Sequence, residues 1–497
     1  VPLNYASLEQ VSGWRFLWHR LSVAVGRRSV SLVFDPSKNT AAAYLVGAVI
    51  AVVALVIALV MSIIKPVGQI GTSRILSDRN SSGLYVENGG IMHPALNLAS
   101  ARLIVGQPDN PKVVPGSEIR KLPIGPMVGI NGAPDDLEVR TPASTGWGLC
   151  DRLKSMGSQV VPRVTVISGV GELGDWARTM NSPDAALMSY GGQTFVVTNG
   201  HRSAIDLADK AVTLALGLPV GQLRPAPMSR ALYEALVPTA PLRVPDIANP
   251  GGPVGYSTSA VPVVSGSVVR VNNVSGESQF FVALPAGLQL VPETVATIIR
   301  NAGLANKGRV IDAESAAVAT LPQASGFDVS MYPPGQLRLA DKEIESVTCV
   351  MWRKDAGEPQ ARVSTVSGRR LPIPVGDESR VISLVSAGQD TTDEVYTGRD
   401  ATNFVQVTGV EPDSPRSESL WWISDNGVRF GVQTSGQADA NTRKALGLEG
   451  PPTPAPWAVI RWLPAGPVLS RGAAMVQHDA LAADSSRAPL PTKSEKG

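Results

Sequence analysis

Residues 41–64 read AAAYLVGAVIAVVALVIALVMSII, without one charged side chain, and Lys38 and Lys65 bracket them. About 20 apolar residues in a helix cross a hydrocarbon core. A core helix of a soluble protein keeps a polar stripe, and this run has none. The apolar part of a cleaved signal peptide is shorter and ends at an A-x-A-like site, whereas KPVGQIG follows here. The stretch therefore reads as an uncleaved transmembrane helix over residues 41–64. Arg15, Arg20, Arg27, Arg28 and Lys38 precede it; Lys65, Arg74 and Arg79 follow. That bias predicts a cytoplasmic N-terminus and an extracytoplasmic chain from Lys65 onward.

The chain has 497 residues and a net charge of +2, which gives no electrostatic case for nucleic acid. Its 48 glycines and 40 prolines predict many turns and short elements. Residues 1–40 form a small cytosolic amphipathic segment. Val11, Trp14, Trp18, Leu21 and Val25 recur there at helical spacing, with Arg15, Arg20 and Arg27 off the stripe. Such a helix rests on the membrane surface or, through Trp14, Trp18 and Leu21, docks a cytosolic partner.

Beyond the anchor, four stretches share one plan. Each has an apolar strand and turn: LYVENGG from Leu84, TFVVTNG from Thr194, QFFVALPAG from Gln279, LWWISDNG from Leu420. A short helix then ends at Gly106, Gly217, Gly303 or Gly447, with Asp206 and Pro292 as start signals for two of them. A second helix stops at Leu122-Pro123, Val237-Pro238, Leu321-Pro322 or Leu463-Pro464.

A second repetition lies between these units. Cys150 precedes RVTVISG and Cys349 precedes RVSTVSG, each with an arginine thirteen residues on, Arg163 and Arg362. The chain thus reads as a duplication whose two central halves assemble into one β-rich core. Equivalent residues near a local two-fold axis approach each other, so a Cys150–Cys349 disulfide is expected on the oxidising side. The alternative is two buried free thiols.

The expected fold is α+β: a single N-terminal transmembrane helix, then an elongated extracytoplasmic domain of four small α/β repeats around a central β-rich domain with pseudo-two-fold duplication. The boundaries read as linker 65–80, repeat 1 at 81–127, first central half 128–190, repeat 2 at 191–240, linker 241–275, repeat 3 at 276–325, second central half 326–416, repeat 4 at 417–479 and a flexible tail 480–497.

Motifs for chemistry are wanting. A P-loop needs Gly-Lys, and that dipeptide never occurs. One G-x-G-x-x-G, at Gly169, Gly171 and Gly174, lacks the long helix of a dinucleotide site and reads as a turn. His19, His93, His201 and His478 are scattered, the cysteines lack metal spacing, and no G-x-S-x-G elbow occurs. Trp421-Trp422 reads as strand core rather than a sugar platform. No catalytic, cofactor or metal residue is assigned.

Several runs carry a resemblance: Gln10–Trp14, Ser77-Asp78-Arg79, Leu84-Tyr85-Val86, HPALNLASARL from His93, GINGAP from Gly129, Cys150-Asp151, Ser419–Trp422 and His478-Asp479. Together they resemble the EccB family, the B component of the mycobacterial type VII (ESX) secretion machinery, from about residue 10 to about residue 485. The family has proline where this chain has Asn131. The resemblance implies a core structural subunit: single-span, in the cell inner membrane, with a periplasmic domain of four repeats around a central one. It implies as partners the EccC motor ATPase, the EccD and EccE membrane components, other EccB copies and, in some complexes, the mycosin protease. It also brings the label ATPase. The alternative reading is therefore an enzyme, an ATP hydrolase as labelled or a cell-envelope hydrolase.

Overall fold

The computed structural model describes residues 8–28, 36–64, 70–219, 221, 223–272, 277–385, 390–433 and 438–481. The chain divides into two units, Val1–Gly71 and Thr72–Gly497. The first contains α1 (Leu8–Arg27) and α2 (Pro36–Ile64). Within α2, Ala42–Met61 is the membrane-spanning candidate, 20 residues of mean hydropathy 2.9, and none of its window is buried. Helix α2 begins at Pro36, as a residue with fixed φ and no N–H allows at a first turn.

The second unit holds four small repeats, R1 to R4, each built strand–strand–strand–helix–strand–helix. R1 has strands Ile75–Asp78, Leu84–Asn88, Ile91–Pro94 and Lys112–Val114, with α3 (Leu98–Val105) and α4 (Gly116–Ile119). R2 has strands Asp184–Tyr190, Gln193–Thr198, His201–Ile205 and Ala226–Pro227, with α5 (Lys210–Ala215) and α6 (Arg230–Ala235). R3 has strands Val268–Asn272, Ser278–Leu284, Gly287–Val291 and Val310–Ala313, with α7 (Glu293–Ala302) and α8 (Ser315–Ala319). R4 has strands Phe404–Thr408, Leu420–Ile423, Arg429–Val432 and Thr453–Pro456, with α9 (Ala438–Leu446) and α10 (Trp457–Ile460). In every repeat the order across the sheet is third, second, first, fourth, and the last pair is parallel. The first helix is the crossover that such a parallel pair needs. It stops at Gly106, Gly217, Gly303 and Gly447, whose φ values of 76°, 70°, 65° and 78° would strain any residue with a Cβ.

These units start earlier than the sequence suggested. Ile75–Asp78 lies in the expected linker 65–80, Val268–Asn272 in the expected linker 241–275, and Asp184–Tyr190 and Phe404–Thr408 in the expected central halves. Each is the first strand of its repeat, in the middle of its sheet between the second and fourth strands, whereas the strand-and-turn signal marks only the hairpin that follows. Part of the 241–275 segment is also packed: Val254, Val261 and Val263 cover the outer face of the R3 sheet. Asp206 does not start α5. It closes the preceding turn by accepting from Ala208 N–H, while Asp209 caps the helix, accepting from Ala211 and Val212 N–H. Most of the expected tail, 482–497, lies outside the described residues.

Between the repeats lies a seven-stranded sheet of β1 (Ser144–Met156), β2 (Gln159–Ser168), β3 (Ala177–Met180), β4 (Val347–Asp355), β5 (Arg362–Gly368), β6 (Ile382–Ser383) and β7 (Glu394–Thr397). Its order is β6-β7-β2-β1-β4-β5-β3. The pairs β2-β1 and β4-β5 are related hairpins, and β1 meets β4 antiparallel with Cys150 opposite Cys349 and Trp147 opposite Trp352. That register is the local two-fold axis of the duplication.

Helices α6 and α10 pack on one face of this sheet in a single core with Trp147, Leu149, Val350 and Trp352. Residues of α5 pack against α7, joining R2 to R3. Residues of α3 pack against α9, joining R1 to R4. Each half of the chain thus supplies one repeat to the R1–R4 pair and one to the R2–R3 pair. A last short strand, Gln477–His478, pairs with Met127–Val128 and ties R4 back to R1.

Candidate functional site

Side chains of β1 and β4 alternate across the central sheet. Trp147, Leu149, Val350 and Trp352 face the repeats, and so, by alternation, does Asp151; Cys150 and Cys349 lie in the core of the opposite face. The two cysteines form a disulfide, closing a sequence separation of 199 residues on the two-fold axis.

Asp151 is fully buried, and its partner is the start of α6. Its carboxylate accepts from Ser229 N–H at 2.7 Å and from Ser229 Oγ at 2.6 Å, and Ser229 Oγ in turn accepts from Leu232 N–H at 3.0 Å. Burial pushes the Asp151 carboxyl up to about 7; the two Ser229 donors pull it down, and Asp393 nearby adds to the rise. The other face carries a second buried acid. Glu394 accepts from Arg152 Nη2 at 2.8 and 2.6 Å, pairs with Arg163 Nε at 2.7 Å and accepts from Thr165 Oγ1 at 3.1 Å. Arg362, the duplicate of Arg163, pairs with Asp355, which also takes Arg353 Nε at 2.8 Å and Ser144 Oγ at 2.6 Å. Those donors hold the Asp355 carboxyl down at about 2. Lys342 Nζ donates to Glu345 O, Thr348 Oγ1 and Ser367 Oγ at 2.7–2.9 Å, and burial lowers it to about 8.

Every one of these charges is committed to a structural partner. The loop with Gly169, Gly171 and Gly174 leads to strand β3, not to a long helix. A Cβ on Gly171 would stand 2.7 Å from Met351 Cε, so this glycine permits close packing. His93 Nδ1 lies 2.9 Å from Pro126 O, His201 Nδ1 2.7 Å from Asn199 O and His478 Nε2 2.9 Å from Gly129 O. No three metal-ligating side chains converge among the described residues. Trp422 is buried, and Trp421 lies beneath Arg429.

Comparison with known proteins decides the lineage. Residues 4–483 match the family model "Type VII secretion system ESX-1, transport TM domain B". The chain belongs to the EccB family. It is 40% identical to the ESX-5 secretion system ATPase EccB5 of Mycobacterium tuberculosis, covering 98% of this chain and 96% of that protein. It is 37% identical to the ESX-3 secretion system ATPase EccB3 of Mycolicibacterium smegmatis, covering 98% and 93%. Among solved structures it superposes on a chain of an intact ESX-5 inner membrane complex with a TM-score of 0.77 at 38% identity, covering 99% of each. It superposes on the EccB3 dimer from the ESX-3 core complex with a TM-score of 0.71 at 33% identity, covering 81% of this chain and 100% of that one. The family is a transmembrane component of ESX inner membrane complexes, and its members occur there with further EccB copies.

The residues that carried the EccB resemblance are mostly stitches within R1 and around it. Asn97 caps α3 by accepting from Ser100 N–H at 3.0 Å, and its amide donates to Ile130 O at 2.7 Å. Ser100 Oγ accepts from Ile130 N–H at 2.8 Å, and Asp135 accepts from Leu98 N–H at 2.9 Å. With His478 on Gly129 O, they fasten segment 126–135 to α3 and to the C-terminal strand. Sequence reasoning missed Asp151–Ser229 and Arg152–Glu394–Arg163, whose partners lie 78 to 242 positions apart. In the separate first unit, Trp14, Trp18 and Leu21 are 64%, 61% and 56% exposed, with the two indoles edge to face at 6.2 Å.

Proposed function

We propose that this EccB-family chain is a membrane-anchored scaffold subunit of a type VII secretion complex. It acts through surfaces held in fixed register rather than through chemistry of its own. Helix α2 anchors it in the inner membrane with the N-terminus cytoplasmic, and the repeats stand in the periplasm. The observation that carries this reading is the central sheet: its buried charges are bound to one another, to a helix start or to neighbouring hydroxyls and carbonyls, and its two halves are bolted at Cys150–Cys349. Relatives of this chain bear the word ATPase in their names. The phosphate-binding Gly-Lys of a P-loop does not occur in this sequence.

The partners proposed are the EccC motor ATPase, EccD, EccE, further EccB copies and, where present, the mycosin protease. Helix α1 is the cytosolic contact, because two adjacent indoles exposed on a short basic helix exceed what a flank of a membrane span requires. Mild detergent extraction of the full chain should bring out the motor ATPase and the multispan components with it. Trp14→Ala with Trp18→Ala should cut that recovery several-fold while leaving membrane insertion intact. Extraction of the chain alone would contradict the scaffold reading; intact recovery from the double variant would assign α1 to the membrane surface.

A further inference from the structure

R2 and R4, the repeats seated on the central sheet, depart from R1 and R3 at one structural position. In each repeat one residue of the third strand pairs with the segment after the second helix. In R1 it is Met92, whose N–H donates to Pro123 O and whose carbonyl accepts from Gly125 N–H. In R3 it is Leu288, bonded in the same way to Pro322 and Ala324. Both side chains are buried apolar groups. In R4 the residue is Arg429, bonded to Pro464 and Gly466; in R2 it is Arg202, opposite Pro238.

The two arginines lie over aromatic rings. The Arg202 guanidinium is 3.8 Å from the Tyr233 ring centre, and Arg429 is 4.8 and 5.2 Å from those of Trp421 and Trp457. Each spends its Nε–H on a backbone carbonyl, Tyr233 O at 2.8 Å and Leu463 O at 3.0 Å. Among the described residues neither has a carboxylate partner, and their terminal NH2 groups have no protein acceptor. A chain of contacts links them, through Tyr233 and its neighbour Glu234 on α6. Arg230 and Arg461 share Glu234 at 2.7 and 2.9 Å, joining α6 to the residue after α10, and Arg461 lies within electrostatic reach of Arg429.

We propose that this face of R2 and R4 binds an acidic, extended polypeptide segment of a partner protein, each stacked guanidinium taking one Asp or Glu carboxylate. Arginine presents two parallel N–H donors to a carboxylate, and stacking fixes the plane of that fork before binding. Half-buried arginine with tyrosine and tryptophan is also the composition of binding hot spots. A glycan is the weaker fit, because sugars stack on open aromatic faces and the arginines already occupy these. The proposal goes beyond the scaffold reading and does not depend on which complex is recovered.

The test uses the full chain in detergent and a fluorescein-labelled dodecapeptide of alternating Glu and Ser, read by fluorescence anisotropy at low salt. Saturable binding is expected, weakened at least about tenfold by Arg202→Met with Arg429→Met, the residue type that R1 carries there. Arg202→Lys with Arg429→Lys keeps the charge but loses the fork and should fall between. Arg353→Met, on the disulfide face of β4 and so across the sheet from α6 and α10, is the control and should bind as the parent does. An unchanged melting temperature shows that the variants fold. Equal binding by parent and methionine variant overturns the proposal, as does binding of oligogalacturonate without the peptide, or binding of neither. Failure here leaves the detergent-recovery experiment untouched, so the two readings fall separately.

Discussion

At residue 151 the central sheet presents a carboxylate to the start of α6; at residue 350, its mate across the two-fold axis, it presents an isopropyl group to the core that holds α10. The two positions are related by the 199-residue offset of the paired cysteines, but the helix starts differ. The helix α6 opens with Ser229, whose part-buried N–H and hydroxyl both donate to Asp151. The helix α10 opens with Pro456, which has no N–H to satisfy. Asp151 thus answers the donors of Ser229, whereas Val350 lies in an apolar core and Pro456 brings no N–H that needs an acceptor. Duplicated backbones can diverge in side chain when the donor and the acceptor change together.

Breaking the match on the apolar side should have the largest effect. Val350→Asp would bury a carboxylate in an apolar core and cost roughly 5 kcal/mol, seen as a collapse of the chemical-denaturation midpoint. On the polar side, Asp151→Val orphans Ser229 and should cost about 2–3 kcal/mol. Adding Ser229→Pro to Asp151→Val removes the orphaned N–H but also the hydroxyl that caps Leu232 N–H, so the double variant should fall within about 1 kcal/mol of the single. A double variant far below the single would break the comparison.

The next effect belongs to both halves equally. Replacing Cys150 and Cys349 together by serine should cost about 3 kcal/mol, with about 5 as the upper figure of the chain-entropy estimate for a loop of this order. Intact mass after alkylation of the denatured chain should find no free thiol until reductant is added. Two thiols alkylated without reductant would contradict the bond.

A smaller effect sharpens the polar junction. The Asp151 carboxyl is raised to about 7 in the folded chain, against an ordinary value near 4 when unfolded. Between about pH 4 and about pH 7 the folded state therefore holds a proton that the unfolded state has released. Stability should fall as pH rises through that window and level off above it. Asp151→Asn should remove this contribution, so the fall in melting temperature from pH 5 to pH 8 should be smaller in the variant. Equal slopes in parent and variant would assign the titration elsewhere.

The difference between the junctions also marks what a sequence discloses. The repeats were legible because left-handed glycines and helix-ending prolines recur at fixed places. The cysteine pairing was legible because one offset relates both cysteines and both arginines. The first strand of each repeat was not, since VVRVN and FVQVT carry no punctuation that separates them from central-sheet sequence. Asp151 and Ser229 were illegible for a different reason: an acid and a serine 78 residues apart signal nothing until the fold brings them together. Arg202 and Arg429 were equally silent, because their repeat positions emerge only from backbone pairing with Pro238 and Pro464.

The scaffold reading stands most directly on turnover. Steady-state ATP hydrolysis should be measured on the full chain, purified in mild detergent and freed of motor ATPase, against a mock purification from cells lacking it. We expect no hydrolysis above the mock at saturating ATP and Mg²⁺. Hydrolysis that co-elutes with the chain and is abolished by a single substitution that leaves its melting temperature unchanged would contradict the account.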